Sequence, residues 1–195
     1  MRNNVLIIHG FGARGRANFF PWLKNELEKK DFKVMLPDLP DPYQPKMQEW
    51  IKALSNFKAD INQKTIVVGH SLGGAVAPFF VDQLNREIKG LFLAAPANPA
   101  IEKHKQHSRI EQVFSQEDLE RLRKIILKPI DWSKLNKKVK LIKAYFSTDD
   151  PLIPIQSQEF YLSKKIQVQV LENRGHLLDY TFPEILKDIL RLTNS

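Results

Sequence analysis

The sequence predicts an α/β fold with about six mostly parallel strands and helices on both faces. Three observations lead there. Short runs rich in Val, Ile, Leu and Phe alternate with amphipathic stretches of helical period, the pattern of βαβ units. No internal repeat and no low-complexity linker interrupts that alternation. A length of 195 residues fits one domain with a substantial core.

The strands are placed at Val5–Ile8, Lys33–Leu36, Thr65–Val68, Gly90–Ala94, Lys140–Phe146 and Gln167–Leu171. The first is too short for a signal-peptide core and ends in His9-Gly10, so it reads as a buried strand. Helices fill the gaps. One starts near Pro21, a favoured first-turn residue, and runs to about Lys30. A second spans about Pro45 to Phe57. A third follows Ser71, with Leu72, Ala75, Val76, Phe79, Phe80 and Leu84 at helical spacing and Pro78 inside it. A fourth begins at Ser115, where S-x-x-D resembles a capping box. A fifth covers about Ile155 to Lys164. The last runs from Pro183 to Leu192, with Ile185, Leu186, Ile189 and Leu190 toward the sheet. The connection from Pro96 to about Lys138 exceeds what a crossover helix needs. It is expected to form either a small lid over one end of the sheet or a decorated surface crossover.

Composition narrows the function. The chain is 43% hydrophobic and 27% charged, ordinary for a globular protein. No run reaches the roughly 18 apolar residues of a membrane span. The absence of cysteine excludes disulfides, zinc–thiolate sites and a cysteine nucleophile, and fits a cytoplasmic location. A net charge of +8 raises the question of an anionic partner. The lysines are spread along the chain, and the densest run, Lys134 to Lys143, lacks interleaved aromatics. A solvated basic surface is therefore expected, with no nucleic-acid partner.

The strongest chemical signal is Gly69-His70-Ser71-Leu72-Gly73-Gly74, between the run TIVV and an amphipathic helix. That is the context a G-x-S-x-G nucleophile elbow requires. A strained turn exposes the serine hydroxyl at the strand's carboxyl end. Gly69 and Gly73 leave room where strand folds back onto helix. The new helix also points free N–H groups and its positive dipole end at Ser71.

A serine hydroxyl needs a base. Of the five histidines, His176 follows the final strand in Asn173-Arg174-Gly175-His176, on the same rim as Ser71. His9 and His70 suit structural hydrogen bonding better. His104 and His107 lie in the long connection, solvated or facing substrate. An acid should orient the imidazole. Asp149 and Asp150 both follow the strand KLIKAYF, and the chain order Ser, Asp, His matches an α/β-hydrolase arrangement. Asp150 is read as the acid and Asp149 as a cap of the turn. Oxyanion donors are expected at the backbone N–H of Leu72 and, in the loop His9-Gly10-Phe11-Gly12, of Phe11.

Together these residues resemble the α/β-hydrolase superfamily, and more narrowly the small serine hydrolases of the retinoblastoma-binding-protein type and their bacterial relatives. The resemblance rests on HGFG followed by FFPWLKNELEKK, LPDLPDP, GHSLGG, STDDPLIP and the late RGH, from residue 5 to 176. The D-P-x-x-P pattern from Asp150 to Pro154 tips the acid toward Asp150. The resemblance implies a compact sheet of order 2-1-3-4-5-6. It also implies hydrolysis of an ester, thioester or amide of a small molecule, with no metal and no cofactor. Two features depart from it. The first loop carries Ala13-Arg14-Gly15-Arg16, more basic than the pattern, and the 96–138 connection is longer. Arg14 or Arg16 could favour an acidic substrate, with a surface pair as the alternative. A catalytically silent binding protein on the same scaffold, or acyl transfer or C–C cleavage on the same triad, remain rival readings.

Overall fold

The computed structural model describes residues 2–194. The strands are β1 (Asn4–Ile8), β2 (Lys33–Met35), β3 (Thr65–His70), β4 (Ile88–Ala94), β5 (Val139–Ser147) and β6 (Gln167–Leu171). They form one sheet in the order β2-β1-β3-β4-β5-β6, as predicted. Every neighbouring pair is parallel. β1 and β3 are buried at every position, as central strands covered on both faces must be. β6 lies at the edge and leaves Gln167 and Val170 exposed.

The long helices are α1 (Phe20–Glu28), α2 (Met47–Ser55) and α3 (Leu72–Asp82), with α9 (Pro183–Thr193) closing the chain. Right-handed crossovers place α1 on one face and α2 and α3 on the other. Accordingly α1 packs against α9, and α2 against α3. α3 is buried almost throughout, including its entire first turn. α9 buries Ile185, Ile189 and Leu192, while Leu186 and Leu190 flank that stripe half-buried.

The 96–138 connection is more helical than predicted. It holds α4 (Ala100–Lys103), a 3-10 turn at Lys105–His107, α5 (Ile110–Val113), α6 (Gln116–Ile126) and α7 (Trp132–Lys138). The cap at Ser115 forms: its hydroxyl accepts from the Asp118 N–H at 3.1 Å and donates to the Asp118 carboxylate at 2.7 Å. Asp131 caps α7 in the same way, accepting from the Lys134 N–H. The helix predicted over 155–164 is instead a 3-10 turn, Ile155–Gln158, leading into a short α8 (Glu159–Leu162). The N–H and the hydroxyl of Ser157 both donate to the Pro154 carbonyl, which holds the chain in the tighter i+3 spacing. Among the described residues no helix is long and apolar enough to cross a membrane.

One polar contact ties α9 to the sheet. The Lys143 ammonium and the Tyr145 hydroxyl both donate to Asp188 Oδ2, at 2.6 and 2.8 Å. Burial and this hydrogen bond push the Tyr145 phenol up from its ordinary value. Asp188→Ala leaves both donors without their acceptor in a largely buried site, and is expected to cost about 3 kcal/mol in urea unfolding. Asp188→Asn keeps an acceptor and should cost less.

Candidate active site

The sheet order reverses between β1 and β3, and the loops leaving their carboxyl ends meet at that crevice. The β3 loop is the single residue Ser71, at φ 53° and ψ −119°, between β3 and α3. L-residues seldom adopt positive φ. The turn is pinned by its own backbone. The Ser71 N–H donates to the Ala94 carbonyl at 2.9 Å, and the Ser71 carbonyl accepts from Gly74 and Ala97 at 2.9 and 3.1 Å.

The flanking glycines do two different jobs. A Cβ on Gly69 would lie 2.5 Å from the Gly73 carbonyl oxygen, the strand-to-helix collision expected from the sequence. A Cβ on Gly73 would instead strike the carbonyls of Ile8 and His9 at the end of β1. Gly73 therefore admits the β1 loop beside the nucleophile's turn. Gly10 comes equally close, since a Cβ there would sit 2.9 Å from Ser71 Cβ.

The structure brings Ser71, His176 and Asp150 together. His176 Nε2 lies 2.9 Å from Ser71 Oγ, and His176 Nδ1 lies 2.8 Å from Asp150 Oδ2. Asp150 Oδ1 also accepts from the N–H groups of Leu152 and Ile153 at 2.8 and 3.0 Å. The carboxylate is buried and fully partnered, so it is held toward the imidazole. Asp149 turns the other way, accepting from the Ser147 hydroxyl and the Gly175 N–H at 2.7 and 2.8 Å. Those bonds, the Ser147 hydroxyl first, hold its carboxyl below the usual carboxylate range.

The histidine loop is clamped from several sides. Asn173, Gly175 and Leu177 all have positive φ, at 53°, 50° and 52°. The Arg174 N–H donates to Ser147 Oγ, and its guanidinium binds Asp179 and Glu184 while lying over the Phe182 ring. His70 supports the same loop, its Nε2 donating to the His176 carbonyl at 2.9 Å. Nothing local in the sequence marks Arg174 or Ser147 for this task, because their partners lie on other segments.

The loop after β1 is braced by residues 38–42. His9 is buried, with Nδ1 donating to the Gly10 carbonyl and Nε2 accepting from the Leu39 N–H, each at 2.9 Å. Only the neutral ring can do both, and burial lowers its pKa accordingly. Gly12 donates to the Pro42 carbonyl at 2.8 Å, and the Trp50 indole donates to that of Pro40 at 2.7 Å. This leaves the Phe11 N–H without a hydrogen-bond partner among the described residues. Leu72 opens α3, where the first N–H groups have no intrahelical acceptor. Both donors flank Ser71.

Other candidates fall elsewhere. The Arg14 guanidinium is half-exposed and pairs with Asp38 at 3.7 Å. Neither Arg14 nor Arg16 lines the cavities at Ser71. Asp38 draws the Arg14 side chain away from the cleft. His104 pairs with Glu159 of α8 at 2.9 Å and, like His107, does not line those cavities. The walls hold apolar residues that sequence reasoning missed, Tyr43, Ile110, Phe114 and Leu152. Ile110 and Phe114 come from the long connection, which is anchored to the Asp150 loop. Its Arg109 N–H donates to the Pro151 carbonyl at 2.6 Å, and its Ser108 hydroxyl to that of Leu152 at 2.7 Å.

A parallel sheet of this order, with a serine at the strand–turn–helix after β3, defines an α/β-hydrolase. The family described as serine hydrolase matches residues 5–181, and the chain belongs to it. It is 25% identical to the protein YdeN of Bacillus subtilis over 97% of this chain and 95% of that one. It is 22% identical to the serine hydrolase RBBP9 of Rattus norvegicus over 92% of this chain and 88% of that one. The crystal structure of the YdeN gene product superposes with a TM-score of 0.84, covering 99% of this chain and 100% of that one, at 22% identity.

The two buried histidines make stability depend on pH. Burial, reinforced by the neighbouring His176, pushes His70 down to about 3, and burial also lowers His9. Below about 6.5 the unfolded chain takes up protons that the folded chain refuses, so stability falls as pH drops from there toward 3. The expected slope is on the order of 1 kcal/mol per pH unit for each histidine within its window. Urea midpoints between pH 7 and 5 should show it, and His70→Gln, which retains a donor for the His176 carbonyl, should flatten it.

Proposed function

We propose that the chain hydrolyses an ester, thioester or amide of a small molecule through an acyl-enzyme on Ser71. The observation that carries this reading is the unbroken relay from Ser71 Oγ to His176 Nε2 and from His176 Nδ1 to Asp150. An imidazole donating through Nδ1 to a carboxylate presents a free Nε2 lone pair to the serine proton. His176 takes that proton as Ser71 Oγ attacks the carbonyl carbon. The N–H groups of Phe11 and Leu72 receive the oxyanion. Collapse breaks the bond to the leaving group, which His176 protonates. A water then attacks the acyl-enzyme with His176 again as base, releasing the acid and restoring Ser71. Asp150 fixes the imidazole tautomer and stabilises its charged form. Residues 96–138 roof the site within a single hydrolase domain, and no metal or cofactor takes part.

The test is labelling by a fluorophosphonate, followed by turnover of p-nitrophenyl acetate. Wild type should label at Ser71, and Ser71→Ala should not. Ser71→Ala should lower kcat by about 10⁵–10⁶ with the fold intact, and Asp150→Asn by about 10⁴. Asp149→Asn removes only a loop contact and should stay within about tenfold. A wild-type chain that neither labels nor turns over would be a binding protein on this scaffold.

A further inference from the structure

Two cavities meet at Ser71, and they differ in what they contain. One is an open cleft of about 420 Å³ that includes both Ser71 and His176. The other is a chamber of about 20 Å³ that includes Ser71 and Leu72 but not His176. The leaving group must be protonated by His176, so it lies on the open side. The acyl chain then occupies the small chamber, whose walls are Phe11, Leu72, Ile110, Phe114, Leu122 and Ile126, together with Ala97. That chamber holds about one group the size of a water or a methyl.

Behind it lies a third, largely apolar cavity of about 420 Å³, bounded by Ala75, Pro78 and Phe79 of α3, Trp132 of α7 and Phe160 of α8. Only Ala97 and Ile126 line both the chamber and this cavity. Ala97 contributes a single methyl, and its N–H is bonded to the Ser71 carbonyl. Ile126, the last residue of α6, supplies the branched side chain of the partition.

We propose that Ile126 sets acyl-chain length, closing the acyl chamber against the apolar cavity behind it. The protein then takes acetyl or propionyl groups on larger alcohols, while the apolar cavity is a latent site for a medium-length acyl chain. This rests on the serine hydrolase reading of Ser71. Replacing Ile126 by Ala removes the side chain beyond Cβ and joins the two spaces. Its position at the end of α6 spares the helix interior.

The experiment measures kcat/KM for p-nitrophenyl acetate, butyrate, hexanoate and octanoate. Wild type should fall at least about tenfold from acetate to octanoate, each badly placed methylene being worth about that much. In Ile126→Ala the octanoate-to-acetate ratio should rise at least about tenfold. Ile126→Val, which loses one methyl, should extend tolerance toward butyrate. Adding Ala75→Leu to Ile126→Ala fills the cavity from α3 and should return the ratio to the wild-type value. Fluorophosphonate labelling of each variant reports that its site is assembled. A wild-type profile that is flat or rises to octanoate overturns the proposal, as does a ratio unchanged in both Ile126 variants that still label. Absence of labelling and of turnover with every ester would instead overturn the reading of Ser71, and the acyl-length proposal with it.

Discussion

The site depends on one backbone conformation. Ser71 stands at φ 53° and ψ −119°, where a side-chain-bearing residue is strained by about 1–3 kcal/mol. Such strain persists only when the surroundings over-determine it. Here the surroundings are the exit of β4 and the first turn of α3. Ala94 accepts from the Ser71 N–H, while Gly74 and Ala97 donate to its carbonyl. Relaxing the turn would break all three bonds and swing the hydroxyl away from His176. The interior of the sheet, buried from β1 to β4, supplies the rigidity that makes relaxation unfavourable.

Around that turn the fold sorts its polar groups by task. Two adjacent aspartates leave the same strand end and diverge. Asp150 is fixed by the N–H groups of Leu152 and Ile153 and faces the imidazole ring. Asp149 faces the backbone of the loop that carries that ring. Two histidines beside the site are buried and neutral, and each holds a loop rather than a proton. The resulting constraint is mostly backbone hydrogen bonding, with few long side chains to order and little entropy to lose on assembly.

The arrangement of strands was legible because apolar runs and helical periods alternate without interruption, and a parallel sheet has few topologies open to it. Ser71 was legible because the elbow is local: strand, turn and helix lie within a dozen residues. The approach of His176 to Ser71 followed from chain order and from both loops leaving carboxyl ends of strands. What was not legible is non-local. Gly73 looked like part of the turn, yet its neighbour is the end of β1. Arg174 looked like a loop residue, and its partners Glu184 and Asp179 follow it at spacings no motif encodes. The walls supplied by Ile110 and Phe114 depend on how the 96–138 segment docks, which its weak and broken periodicity does not specify. Arg14 carried a charge near a functional loop, and only the structure shows Asp38 turning it aside.

The bracing of the β1 loop by residues 38–42 bears on where this scaffold can change. Surface connections ordinarily absorb insertions at little cost. This one cannot, because Asp38, Leu39 and Pro42 each end on the loop that presents the Phe11 amide. A residue added there would shift an amide whose usefulness is measured in tenths of an ångström. Length variation among proteins of this architecture should therefore concentrate between β4 and β5, where the chain shapes the walls of the cleft and leaves the reacting atoms in place.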